Sequence, residues 1–224
     1  MQRKLTQIET NKSRILLVDD HPIVREGLGA RIDQEPDLAV CGLAADAHEA
    51  MDLIAEARPD LVIADLSLGG KPGLELVKDL DSHYPNLPVL VLSLHDETLW
   101  AERVLRAGAK GYISKSQATQ KVVDAIHHVL DGGIWVSDKI NDLLLKKYAK
   151  NQMPTPGSPL ERLSDRELEI FQMIGQGLTV REIAGRLFLS HKTVEVHRDH
   201  IRDKLGLKSS AELLRYAVTY TLEG

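Results

Sequence analysis

Apolar and polar positions follow two different rhythms along this chain. Over the first 130 residues, short runs rich in Val, Ile and Leu, most of them ending on a polar side chain, are separated by stretches of helical period. The pattern predicts strands over 14–19, 38–43, 60–65, 88–93 and 111–113, and helices over about 22–34, 46–57, 73–82, 97–107 and 117–131. Runs that are apolar throughout suit strands buried on both faces, as in a parallel sheet. A helix after every strand implies right-handed crossovers with helices on both faces of that sheet. Helix 46–57 shows the pattern well: Ala47, Ala50, Met51, Ile54 and Ala55 share one face, and Asp46 is placed to cap it. Gly132-Gly133 closes the last helix of the series.

The rhythm then changes. Residues 134–148 read as one more amphipathic helix entered through Ser137, and Ala149–Pro159, with three prolines and a glycine, reads as a linker. From Leu163 onward the pattern is helical only. Ser164 with Glu167, Thr179 with Glu182, and Ser209 with Glu212 are capping boxes, and Ser190 leads a fourth helix. Helices over about 179–187 and 191–205, joined tightly through Phe188-Leu189, predict a helix-turn-helix. The expected organisation is an N-terminal tail over 1–13, an α/β domain over 14–133, a linker with a helical segment over 134–162, and an all-α four-helix domain over 163–224.

Composition narrows this picture without redirecting it. The hydrophobic fraction of 43% supports real cores, and the single cysteine, Cys41, excludes an internal disulfide and reads as a buried strand residue. Residues 1–13 contain no apolar signal core, and no run is long enough for a membrane span, so a cytoplasmic protein without membrane contact is expected. The net charge of −5 falls on residues 1–162, since residues 163–224 carry equal numbers of basic and acidic side chains. Any case for nucleic acid must therefore come from the placement of charge on a face.

The strand ends carry the first candidate chemistry. Ligands of open α/β sheets bind outside the carboxyl ends of the strands, where strand order reverses. There the pattern gathers Asp19 and Asp20, Asp65, Ser93, and Lys115. Carboxylates crowded together repel unless a cation neutralises them, and an all-oxygen site suits Mg²⁺. Asp65, in the middle, is then a nucleophile that can accept a phosphoryl group, with Lys115 and Ser93 bonding its oxygens.

On these residues the first 130 positions resemble a response-regulator receiver domain of flavodoxin-like fold. The resemblance implies that Asp65 is the phosphoacceptor and Asp19 and Asp20 the acidic pair, with Ser93 the conserved hydroxyl, Tyr112 the switch aromatic and Lys115 the invariant lysine. It further implies that Asp20, Asp65 and the backbone carbonyl of Ser67 ligate Mg²⁺. One position departs from the family: Gly69 stands where proline is usual, within Gly69-Gly70-Lys71-Pro72-Gly73, so a looser loop is expected. A phosphatase of the haloacid-dehalogenase type also uses a strand-end Asp with Mg²⁺, but it needs a second Asp two residues on. Ser67 occupies that position, so an enzyme is disfavoured.

In the C-terminal domain, the helix over 191–205 places Val194, His197, Ile201 and Leu205 on a core stripe. Lys192, Glu195, Arg198, Asp199 and Arg202 lie opposite, flanked by Val196. That second stripe can read base edges. The segments LSDRELEIF, GLTVREIAGRLFLSHKTVEVHRDHIRDKLG and SSAELLRYAV resemble a LuxR-type helix-turn-helix. The resemblance implies a recognition helix opened by Ser190, with Glu195, Val196 and Asp199 facing bases and Thr179, Lys192, Thr193, Arg198 and Lys208 near phosphates. His191, His197 and His200 have no cysteine partner, and His197 lies on the core stripe, so a metal reading is set aside there. The last helix, Ser209–Tyr220, is more apolar than one-sided packing requires, and Leu213, Leu214, Ala217 and Val218 are expected to form a homodimer interface. Both halves together resemble a NarL/FixJ-type two-component response regulator. That implies a sensor histidine kinase as phosphodonor and double-stranded DNA as target.

Overall fold

The structure is a computed structural model that describes residues 12–68, 72–149 and 159–223. Five parallel strands, β1 (Ser13–Val18), β2 (Leu38–Ala44), β3 (Leu61–Asp65), β4 (Val89–Ser93) and β5 (Gly111–Ser114), lie in the order β2-β1-β3-β4-β5. Five helices alternate with them: α1 (Pro22–Asp33), α2 (Ala47–Ala57), α3 (Gly73–His83), α4 (Glu97–Arg106) and α5 (Ala118–Leu130). The strand alternation sorts the core. Ile15, Leu17, Leu61, Ile63, Leu90 and Leu92 point toward α1 and α5, while Leu16, Val18, Val62, Ala64, Val89 and Val91 point toward α2, α3 and α4.

The caps foreseen from sequence are in place. Asp46 accepts from the N–H groups of His48 and Glu49 at the start of α2. After α5 the chain departs from expectation: residues 134–136 are extended, not helical. Trp135 pairs with the β5 edge, its N–H donating to the Lys110 carbonyl and its carbonyl accepting from the Tyr112 N–H. An open sheet edge competes successfully with helical pattern there, and α6 (Asp138–Ala149) begins only after Ser137. Cys41 is half-buried because β2 is the sheet's edge strand.

A 3-10 turn (Pro159–Arg162) leads into α7 (Asp165–Gly175), α8 (Val180–Arg186), α9 (His191–Leu205) and α10 (Ser210–Glu223). Ser164 and Thr179 form reciprocal capping boxes with Glu167 and Glu182, and Gly206, at φ 68°, ends α9 in the left-handed conformation. At the third predicted box, Glu212 instead accepts from the Lys208 N–H while Ser209 caps the N–H of Glu212. The buried apolar residues on the α2–α3–α4 face of the sheet join those of α7 to α10 in one cluster. The two halves of the chain thus share a packed boundary.

Candidate phosphoryl pocket and nucleic-acid interface

The strand order creates the pocket. From β1 the chain winds one way to β2 and the other way through β3, β4 and β5, so the crevice between β1 and β3 opens where the winding reverses. Asp65 closes β3 and is buried, Asp19 follows β1 and is buried, and Asp20 next to it is exposed. Lys115, one residue past β5, donates to Asp65 Oδ2 at 2.7 Å, and its ammonium lies 2.6 Å from Asp19 Oδ2. Ser93 ends β4, fully buried. Gly73 closes the floor: a Cβ on it would stand 2.0 Å from the Asp65 carbonyl oxygen, so no side chain fits there.

Burial raises the Asp65 carboxyl above the ordinary carboxylate range, with the Lys115 ammonium offsetting part of the effect and Asp19 adding to it. Burial alone would lower Lys115, yet Asp65 and Asp19 hold its pKa above the usual lysine value. Oxygens of Asp19, Asp20 and Asp65, and a ring nitrogen of His21, lie within 4.8 Å of one another. Three carboxylates facing one ammonium leave excess negative charge, so the donor set fits a hard divalent cation such as Mg²⁺. His21 escaped notice in the sequence; its ring lies 2.6 Å from Asp20, and its N–H donates to Asp19 at 2.9 Å. Gly69–Lys71, where the looser loop is expected, lie outside the described residues.

His95 is the second residue that pattern reading missed. Its N–H donates to Ser93 Oγ at 3.1 Å, its Nε2 lies 3.0 Å from Ser67 Oγ, and its carbonyl accepts from the Tyr112 hydroxyl at 2.6 Å. Its ring stacks on Trp100 at 5.0 Å, and burial lowers its pKa to about 4. Tyr112, which the resemblance makes the switch aromatic, is inside: its ring is buried beneath α4, and burial raises its hydroxyl pKa.

Trp100 carries the contact across the boundary, its indole N–H donating to Gln172 of α7 at 3.0 Å. Asp165, on the same face of α7, pairs with Lys78 at 3.0 Å and with Arg103 at 2.9 Å. Arg103 also donates to the carbonyls of Leu160 and Leu163. Between Asp165 and Gln172 lies Glu169, buried and paired with Arg166; burial raises its pKa, and the charge of Asp65 raises it further. Tyr220 of α10 reaches the cap of α4, its hydroxyl donating to Asp96 at 3.3 Å.

The predicted recognition residues lie along α9. Lys192, Glu195, Val196 and Asp199 are exposed. Arg198 is paired with Glu195 at 3.0 Å and Arg202 with Asp199 at 2.8 Å, so the stripe neutralises itself. The hydroxyls of Ser190, Thr193 and Thr179 serve the helix caps, and Lys208 is exposed beyond α9. For α10 the expectation needs correcting: Leu213 and Ala217 are fully buried in their own domain, and only Leu214 and part of Val218 remain exposed. A tight approach to α7, where a Cβ on Gly175 would meet the Ala217 carbonyl at 2.6 Å, consumes that face.

Comparison with known proteins decides the family. Residues 15–127 match the response regulator receiver domain, and residues 161–217 match the bacterial regulatory proteins of the luxR family. The chain is a NarL/FixJ-type response regulator. It is 36% identical over 210 residues to the oxygen regulatory protein NreC of Staphylococcus epidermidis, covering 92% of this chain and 96% of that one. Its structure resembles that of RcsB from Salmonella enterica serovar Typhimurium, solved bound to promoter rprA with the phosphomimetic BeF3⁻. The TM-score is 0.64 and the identity 26%, over 93% of this chain and 99% of that one. A second RcsB structure, of two dimers on two parallel DNAs, matches with a TM-score of 0.57 at 27% identity, over 92% of this regulator and 98% of that chain. The regulator is therefore a DNA-binding transcription regulator, and nothing in these relatives supports a phosphatase. Among its described residues no helix is long and apolar enough to cross a membrane.

Proposed function

We propose that this regulator receives a phosphoryl group on Asp65 from a sensor histidine kinase and, once charged, frees its C-terminal helices to pair as a homodimer on double-stranded DNA. The observation that carries the reading is Asp65 itself, a buried carboxylate at the end of β3, bonded by Lys115 and flanked by Asp19 and Asp20. A carboxylate oxygen of Asp65 bonds to phosphorus as the phosphorus–nitrogen bond to the donor imidazole breaks, leaving the electron pair on that nitrogen. Asp19, Asp20 and Asp65, with the carbonyl of Ser67, would hold Mg²⁺, which when bound neutralises charge on the phosphoryl oxygens. Lys115 remains beside Asp65 and bonds a phosphoryl oxygen.

The consequence spreads through His95. Drawing Ser93 Oγ toward a phosphoryl oxygen takes it from the His95 N–H. The loop that Tyr112 and Trp100 share then loses an anchor, and with it the bond from Trp100 to Gln172. Extra negative charge at Asp65 also raises the cost of keeping Glu169 buried nearby. The contacts at risk belong to α7 and α10, whereas the α9 stripe is already exposed. Phosphorylation therefore acts on assembly more than on access to the recognition helix. Leu214 and Val218 are the remaining candidates for the two-fold contact, which places two recognition helices about one DNA turn apart.

The test is direct. A small phosphodonor with Mg²⁺ should add about 80 Da to the wild type and nothing to Asp65→Asn. Equal labelling of both proteins would remove Asp65 from this role.

A further inference from the structure

On α9 the core stripe holds more than packing. His197 and His200 stand three residues apart, a spacing that places two side chains on one helix face. The fold brings a third donor that no sequence neighbour could supply. Glu167, in the first turn of α7, lies against that face, and one ligand atom from each of Glu167, His197 and His200 falls within 4.8 Å of the others.

The carboxylate divides its work. Oε2 accepts from the Ser164 N–H at 2.7 Å and from the Lys204 ammonium at 2.6 Å, which fixes its orientation. Oε1 is left facing His200 Nδ1 at 3.9 Å, too long for a hydrogen bond. His197 Nδ1 is buried and has no hydrogen-bond partner among the described residues, an arrangement that is costly wherever it persists. Around a tetrahedral zinc ion with bonds of about 2.0–2.1 Å, donor atoms stand about 3.3 Å apart, so pairs that now lie within 4.8 Å must draw together to close the set.

We propose that Glu167, His197 and His200 form a transition-metal site, best matched to Zn²⁺, that ties the recognition helix to α7. Two imidazoles and one carboxylate are an established zinc donor set with a fourth position for water, and they are softer than the all-oxygen pocket at the strand ends. His200 is exposed, which provides a path for entry. The hydrogen bonds from Ser164 and Lys204 supply the outer support that ligating carboxylates need. Lys204 also limits affinity, because its charge opposes that of the ion.

The probe is Co²⁺ added to the untagged full-length chain with Mg²⁺ in excess to occupy the strand-end carboxylates. Four-coordinate cobalt gives intense visible bands that a six-coordinate oxygen site does not. The wild type should develop them with one equivalent of Co²⁺, and Zn²⁺ should displace them. His200→Ala, on an exposed position, should keep the fold by circular dichroism and weaken binding at least tenfold. Lys204→Met should tighten it several-fold, and Asp65→Asn should leave it unchanged. No four-coordinate spectrum in the wild type, or one that survives His200→Ala or vanishes in Asp65→Asn, would overturn the proposal.

Discussion

The strand-end pocket and the recognition stripe of α9 are both mosaics of acids and bases, at opposite depths. In the pocket Asp19, Asp65 and Lys115 are buried together, and each raises or lowers the pKa of another. On α9 the pairs Glu195–Arg198 and Asp199–Arg202 lie three residues apart on a largely solvated face. Pairs of that second kind contribute only about 0.2–0.5 kcal/mol each, so they can exchange partners with DNA at little cost. The first kind cannot be rearranged piecemeal, because removing one member strands the others in low dielectric. Depth thus separates the proposed switch from the proposed reader, and the face formed by Trp100, Arg103, Asp165 and Gln172 joins them.

The largest effect that could break this contrast is at Lys115. Lys115→Met leaves Asp19 and Asp65 buried without a counter-charge and should cost about 3–5 kcal/mol in urea unfolding. Millimolar Mg²⁺ should recover much of it. A loss below about 1 kcal/mol, the surface-pair range, would erase the distinction.

His95 gives the next effect and fixes its sign. The folded chain holds the ring neutral until about pH 4, whereas its ordinary value is 6.5. The unfolded chain therefore binds a proton first, so this contribution is complete above pH 6.5 and is lost as pH falls through the window toward 4. The loss is at most about 3 kcal/mol. His95→Gln should flatten the stability profile in that window, and an unchanged profile would take the titration away from His95.

How much of this was legible depends on range. Asp65, Ser93 and Lys115 could be found because each follows an apolar run whose end is visible in the chain itself. Ser164 and Thr179 were equally plain, since a capping box is closed within four residues. Trp100 and Gln172 were not, because their contact joins residues 72 positions apart, nor was His95, whose partners Ser67 and Tyr112 stand 28 and 17 positions away with no local period to mark them. The misreadings have the same origin. Residues 134–136 carry helical pattern but pair with the β5 edge, and the apolar excess of α10 is spent on α7 through Leu213 and Ala217.

Smaller effects sharpen the comparison. Gln172→Leu removes one buried hydrogen bond between the halves, worth about 1 kcal/mol, and should shift dimerisation of the unphosphorylated regulator about fivefold toward lower concentration in sedimentation. Lys192→Ala should reduce the salt dependence of DNA binding by about one phosphate's worth, with little change in sequence preference. A change in preference without a change in salt slope would place Lys192 on a base.

The central claim, that charging Asp65 loosens the α4–α7 contact, is read most directly from Trp100. With Trp135→Phe, Trp100 is the only indole left, and it is almost fully buried in the contact. Acrylamide quenching of its fluorescence should be weak in the free regulator and rise severalfold when beryllofluoride and Mg²⁺ occupy the pocket. If Trp100 stays shielded while the beryllofluoride-bound regulator dimerises on DNA, the contact is not what phosphorylation releases.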